Sequence, residues 1–298
     1  MAKDRLAIRI CKKLKIFFPS ESLYLKTRFR LEMGYSLHLK APKTFSEKLQ
    51  WLKLYDRRPE YTTMVDKYAV KEYVANIIGK DYIIPTIGVW DKPEDIDWDT
   101  LPNSFVLKTT HGGGGGGVVI CRDKSTIDKH KITEQLSLCL KQDIAKYSCE
   151  WPYKNVKRRI IAESIINPVQ GDELLDYKFF CFNGRVEFMK VDIGRFGDHH
   201  ANYYNRDFEL LPFGEILYLP DVNAKVDKPN NFEKMIILAE KLAKGIPFLR
   251  VDMYNTGNNI YFGELTFYPA SGLEKYVPEE WDEKIGKMLT LPDSKNNK

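Results

Sequence analysis

Apolar and polar positions along the chain set out a series of short helices and strands. In TFSEKLQWLKLY, residues 44–55, Thr44 stands three positions before Glu47 in a capping-box pattern, and Leu49, Leu52 and Tyr55 share one helical face. VDKYAVKEYVANIIG predicts a second helix, with Asp66 as N-cap, Ala69, Tyr73, Val74 and Ile77 as an apolar stripe, and Gly79 as the stop. The β-like runs YIIPTIGVW, SFVLKTT and VVIC follow, the last two separated by a glycine tract, and residues 126–147 read as helical before the strand RRIIAESII. DYKFFCFNGRVEFMKVDIG is built around Asn183-Gly184, the strongest short hairpin signal in the chain. Asn230 or Asn231 caps a helix over FEKMIILAEKLAKG, ending at Gly245, and PFLRVDMY and IYFGELTF form a hairpin across the turn NTGNN. Hairpins and helices are interspersed without strict βαβα alternation, so the fold class expected is α+β. There is no internal repeat, and the polar tail DSKNNK is expected to fray.

Composition changes this picture only modestly. With 298 residues, 43% of them hydrophobic, the chain can fill a core shared by two lobes around a cleft. A net charge of +5 suits anionic small ligands and does not call for nucleic acid. Cys11, Cys121, Cys139, Cys149 and Cys181 are scattered and never paired as C-x-x-C, which points to a reducing cytoplasm rather than a disulfide framework or zinc site. No apolar run approaches the ~20 residues that span a bilayer. The start MAKDRLAIRICKKLKIFF is interrupted by Arg9, Lys12, Lys13 and Lys15, too often for a secretory segment. It reads either as a basic amphipathic helix touching anionic lipid or membrane enzymes, or as a solvated helix packed on the body, the simpler of the two.

Ordering His111 and Gly112–Gly117 costs much backbone entropy, so the tract calls for an explanation. A Rossmann loop needs a helix straight after it and a P-loop needs G-K-S/T, whereas strand-like VVIC follows. A glycine hairpin can instead close over a triphosphate, bringing backbone N–H groups to its oxygens, with Lys108 and Lys67 as candidate phosphate contacts. A floppy hairpin tip is the plain alternative. In the last hairpin, an even register places Arg250, Asp252, Glu264 and Thr266 on one face, with Val251, Met253 and Leu265 toward the core. Asp252 and Glu264 then become cross-strand neighbours able to share magnesium, the alternative being an exposed salt-bridged face. No nucleophile elbow appears, and His199-His200 are given no role.

The blocks TFSEKLQWLKLYD, VDKYAVKEYV, VLKTTHGGGGGG, DYKFFCFNG and FLRVDMY…YFGELTFYPASG, in this order between about residue 20 and about residue 290, resemble the TupA-like ATP-grasp family. The resemblance implies an ATP-grasp fold of two α+β lobes gripping ATP. Its expected parts are an N-terminal helical extension over 1–60, a small lobe with the glycine lid over 61–165, and a C-terminal lobe over 166–298. It implies ATP contacts from Lys67, Lys108 and the loop of His111, Gly112, Gly113, Gly114, Gly115, Gly116 and Gly117, with Glu163 near the adenine, and Asp176 and Lys178 near ribose and phosphates. Magnesium would be held by Asp252, Glu264 and Thr266, the last standing where related ligases often carry asparagine. Arg250 and Lys108 would be catalytic, and Gly272 would offer a backbone N–H to the intermediate. Arg195, by its type and position after the central hairpin, is a candidate clamp for the substrate carboxylate. The lid lacks the serine or other polar residue usual among the family's glycines.

The implied activity is a carboxylate–amine ligase working through an acyl phosphate with ATP and Mg2+. It would join an amine or amino acid to a uronic acid or peptide carboxylate in teichuronopeptide, capsular or O-antigen synthesis, in the cytoplasm or at the inner face of the membrane. A glycosyltransferase would need a D-x-D motif, and the only stretch with that spacing is Asp95-Ile96-Asp97, followed by Trp98-Asp99 in a loop without a preceding strand. A non-catalytic ATP-binding scaffold is the third reading.

Overall fold

A computed structural model describes residues 2–112, 116–168, 174–195 and 197–293. Gly113, Gly114 and Gly115 of the expected lid, and all but Asp293 of the tail, lie outside the described residues.

Five helices come first: α1 (Ala2–Lys13), α2 (Glu21–Met33), α3 (Phe45–Tyr55), α4 (Glu60–Val65) and α5 (Ala69–Ile78). The α3 capping box forms in full: Thr44 Oγ1 accepts from the Glu47 amide, and the Glu47 side chain accepts from the Thr44 amide. Helix α5 begins at Ala69 with Tyr68 as N-cap, two residues later than Asp66 predicts. The Asp66 carboxylate nevertheless receives the Tyr68 and Ala69 amides, and its other oxygen is held by Arg159 at 3.1 Å. Gly79 ends the helix as expected, at φ +110°.

Strands β1 (Thr86–Trp90), β2 (Phe105–Thr109), β3 (Val118–Cys121) and β4 (Ile160–Glu163) make an antiparallel sheet in the order β1-β4-β2-β3. Between β3 and β4 the expected single helix is two, α6 (Lys129–Leu140) and α7 (Ile144–Ser148), because Asp143 caps a new start by accepting from the Lys146 amide. Helix α6 packs Ile132 and Leu136 into a small core with Phe105, Leu107, Ile160 and Ala162.

The second sheet orders its strands β10-β9-β5-β6-β7, all antiparallel, from β5 (Asp176–Phe182), β6 (Arg185–Ile193), β7 (His200–Asn205), β9 (Phe248–Asn255) and β10 (Ile260–Thr266). Asn183-Gly184 makes the β5–β6 turn with both residues at positive φ, +50° and +85°. Strand β8 (Gly214–Glu215) pairs with β11 (Tyr276–Val277), while α8 (Phe232–Ala243) covers one face of the large sheet and α9 (Glu280–Met288) closes the described chain. Asn231 is the α8 N-cap, though its side chain makes no capping bond, and the C-cap is Lys244.

Under α8 the sheet presents Tyr177, Phe179, Cys181, Val191, Val251 and Met253. The opposite face is divided along the strands. One end is aromatic, with Phe180, Phe182, Phe188 and Phe248 in mutual ring contact against Phe45 of α3; the other end is charged. The N-terminal helices belong to this larger core. Asp282 of α9 accepts from the Ser46 amide at 2.9 Å, and Lys48 reaches the Gly286 and Leu289 carbonyls. The five cysteines are buried and unpaired.

Candidate active site

The charged end is assembled by strand pairing. Asp252 of β9 lies directly opposite Glu264 of β10 and Lys178 of β5, and Arg250 lies opposite Thr266. This is the even register the sequence predicts, with a bulge between Phe262 and Glu264 at its far side. Arg250 grips Asp252 with two bonds of 2.7 Å each, and its Nη2 also reaches Glu264 at 2.9 Å and the Thr266 hydroxyl at 3.1 Å. Such a bidentate pair fixes both planes, which suits a guanidinium better than an ammonium.

Lys178 stands among three carboxylates: it pairs with Asp176, with Asp192 at 2.6 Å, and approaches Asp252 at 4.0 Å. Arg195 pairs with Asp176 at 3.0 Å, so the proposed substrate clamp is already engaged on this face. Asp192 is shared further with Lys190 and with His199 at 3.2 Å, and Lys190 continues to Glu215 at 2.9 Å. Asp192, Lys190, Glu215 and His199 are the members that sequence reasoning missed. His199, given no role from sequence, is largely buried, stacked on Tyr218 and bonded to Asp192, rather than a solvated loop residue.

A bulge between Phe180 and Cys181 explains why Asp192 and Lys190 are here. The hairpin starts in the register set by Phe182↔Arg185, which if continued would face Asp176 with Val191. The extra residue shifts it, so that Asp176 faces Asp192 and Lys178 faces Lys190.

Burial and neighbours pull these groups apart electrically. Burial pushes the Asp252 carboxyl up to about 6, against Arg250 and Lys178. Partial burial acts the same way on Glu264, whose side chain is 39% exposed, but Lys67 and Arg250 outweigh it and hold that carboxyl down at about 2. Asp192, likewise buried, lies well below the carboxylate range because of Lys190 and Lys178. Lys178 is raised despite burial by Asp176, Asp252 and Asp192.

The base of the glycine tract meets this face through Lys67. Its ammonium donates to the Gly112 carbonyl at 2.6 Å and lies 3.5 Å from Glu264, while its backbone N–H donates to Thr110. The tract closes where Thr109 N–H donates to the Gly117 carbonyl. A Cβ at either Gly112 or Gly117 would collide with the Thr109 hydroxyl, so both ends of the tract require glycine. Gly116 offers its carbonyl to Gln135 and Cys139. His111 is buried beneath the tract, its Nε2 at 3.2 Å from the Gln142 carbonyl and its Nδ1 without a hydrogen-bond partner. Burial, with Arg158 adding to it, lowers its pKa, so the ring is neutral near pH 7.

Lys108 and Glu163 form the second focus, on the small sheet. The buried Glu163 carboxylate is held by Lys71 and by Lys108 at 2.6 Å, which keep its pKa low against burial. Lys71 is the partner the sequence did not reveal. Gly272 lies elsewhere: at φ +62° it packs on Leu49, with its carbonyl bonded to Gln50 at 2.8 Å. Asp95 ends a short turn, Ile96 is buried and Asp97 accepts from the Asp99 amide, so this D-x-D is occupied as a loop fastening.

Among the described residues, no three His, Cys, Asp or Glu side chains converge as a ready metal cage. Two facing carboxylates with a hydroxyl beside them are nonetheless the donor set magnesium uses when nucleotide phosphates supply its remaining oxygens. A buried Asp176 oxygen without a hydrogen-bond partner on the same face fits an incoming polar group.

Residues 47–290 match the family described as TupA-like ATPgrasp. Among solved structures, D-alanine–D-alanine ligase from Helicobacter pylori is 15% identical over 83% of this chain and 69% of its own, with a TM-score of 0.45. The corresponding ligase from Bacillus anthracis is 16% identical over 69% of this chain, with a TM-score of 0.39, and the chain spans only 57% of that protein's length. The ATP-grasp ligase PsnB, complexed with minimal precursor, Mg and ADP, is 9% identical over 74% of this chain and 57% of its own, with a TM-score of 0.37. No curated protein matches the chain. On the strength of the match across residues 47–290, this α+β chain belongs to the TupA-like ATP-grasp family.

Proposed function

We propose that the protein is an ATP-dependent carboxylate–amine ligase. The observation that carries this reading is Lys67, which ties the glycine tract to Glu264 and thereby sets a phosphate-binding loop against the Arg250–Asp252–Glu264–Thr266 face. In the reaction, a substrate carboxylate oxygen attacks the γ-phosphorus of ATP and ADP departs, leaving an acyl phosphate. An amine nitrogen then attacks the acyl carbon, phosphate leaves and the nitrogen loses a proton. No protein nucleophile is required.

Asp252, Glu264 and the Thr266 hydroxyl would hold magnesium, which supplies charge neutralisation for the transferring phosphoryl group. Lys67 and Lys108 would bind phosphate oxygens, and the glycine loop would close above them and bring backbone N–H groups to the same oxygens. Lys178 keeps Asp252 in place from the neighbouring strand and Asp176 from its own. Arg250, fixed by both carboxylates, presents permanent positive charge where the oxyanion of the tetrahedral intermediate would form. Arg195, half exposed and paired with Asp176, would exchange that partner for the substrate carboxylate.

The family resemblance favours a uronic acid or peptide carboxylate and an amino acid or other amine, in synthesis of a bacterial surface polysaccharide. The test is ADP release across a panel of uronic acids, UDP-uronic acids and amines, with magnesium present and absent. Release that needs both a carboxylate and an amine supports the ligase; tight ATP binding with no turnover across the panel favours the scaffold reading.

A further inference from the structure

We infer that α1 and the turn after it form a docking surface for an anionic lipid bilayer. Helix α1 uses one side to pack on α2, burying Cys11. On another side Leu6 and Ile10 stand one turn apart in the open, continued by Leu14. A short turn over Lys15–Phe17 then exposes Ile16 and Phe17 at 71% and 74%.

That turn is fastened from below, so the exposure is built in. Lys15 reaches the Ala145 carbonyl and lies over the Tyr24 ring, while Phe18 packs edge-on against Tyr24 at 5.4 Å. Phe18 thus turns inward and Phe17 outward. Arg9 and Lys13 are exposed alongside the apolar stripe.

The charge of the whole molecule is concentrated here. Residues 1–18 hold six basic side chains, Lys3, Arg5, Arg9, Lys12, Lys13 and Lys15, against the single acid Asp4. The full chain has 46 basic and 41 acidic residues, so the remaining 280 balance at 40 of each. An apolar stripe with Arg9 and Lys13 exposed beside it, in the segment whose sequence carries the net positive charge, is complementary to acyl chains beneath a negative headgroup layer. A solvated helix packed on the body, the simpler expectation from sequence, would instead turn these five apolar side chains toward the protein. Among the described residues no helix is long and apolar enough to cross a membrane, so the surface would lie on the bilayer rather than span it.

The experiment is flotation of the full chain with vesicles of phosphatidylcholine alone and of phosphatidylcholine mixed with an equal part of phosphatidylglycerol. Ile16→Asp/Phe17→Asp and Arg9→Glu/Lys13→Glu are compared with Ile216→Asp/Leu217→Asp, which alters an exposed apolar segment elsewhere. The expected result is binding to the anionic vesicles only, weakened by salt and reduced about tenfold or more in the first two variants. Binding unchanged in the third variant, with native circular dichroism throughout, completes the expected pattern. No binding, equal binding to both vesicle types, or loss confined to Ile216→Asp/Leu217→Asp would overturn it. So would a change in the sedimentation coefficient of Ile16→Asp/Phe17→Asp without lipid, since the stripe would then be an interface between copies.

Discussion

Glu163→Gln isolates the ion cluster of the small sheet without changing its shape. The carboxylate is buried between Lys71 and Lys108, whose side chains are 12% and 18% exposed. Each charge-assisted bond contributes about 1.5–3 kcal/mol, but both lysines can turn partly toward water, so the net loss should be about 2–4 kcal/mol. The loss should depend on pH in a defined direction. Burial already lowers the Lys71 pKa, and Glu163 opposes that effect. Without Glu163 the folded-state pKa falls further below the unfolded value of 10.5. The unfolded chain then binds more protons than the folded one, and stability rises with pH toward that value. Urea unfolding of both proteins at pH 7 and pH 9 should show the deficit shrinking at the higher pH. A deficit under about 1 kcal/mol at pH 7, or one that grows at pH 9, would refute the reasoning.

Thr44→Ala removes the acceptor of the Glu47 amide and should cost about 1 kcal/mol in chemical denaturation, with m unchanged. Gly272→Ala places a Cβ 2.6 Å from Gln50 Nε2 and 2.8 Å from Leu49 Cβ at positive φ, and should cost more than about 2 kcal/mol while sparing the KM for ATP. The Glu274 carboxyl is raised to about 7 by burial and by Glu215, so its contribution is fully present below the ordinary carboxylate range and lost as pH rises through about 7. Wild type should therefore lose Tm between pH 5 and pH 7, and Glu274→Gln should lose less.

Local chemistry was the legible part of this fold. The Thr44–Glu47 box, the Asn183-Gly184 turn, the Gly79 stop and the alternation of Arg250, Asp252, Glu264 and Thr266 are written in spacings of a few residues. The second start at Asp143 was also local, but apolar periodicity across 126–147 masked it. The contacts that join remote segments left no such trace. Lys71 meets Glu163, Asp66 meets Arg159, and Lys190 meets Glu215 only once the sheets are assembled. Asp192 was hidden for a sharper reason: without the Phe180/Cys181 bulge, hairpin register would turn it to the opposite face from Asp176. His199 stands in a loop but is largely buried, because Asp192 and Tyr218 from other segments of the chain cover it.

The measurement closest to the central claim is calorimetric titration of a non-hydrolysable ATP analogue with magnesium into wild type, Lys67→Ala and Asp252→Asn/Glu264→Gln. Saturable binding to wild type that weakens at least about tenfold in Lys67→Ala, and loses its magnesium dependence in the double variant, is the predicted result. Equal affinity in all three proteins, with folding intact, would contradict the placement of nucleotide and metal between the glycine tract and the charged sheet face.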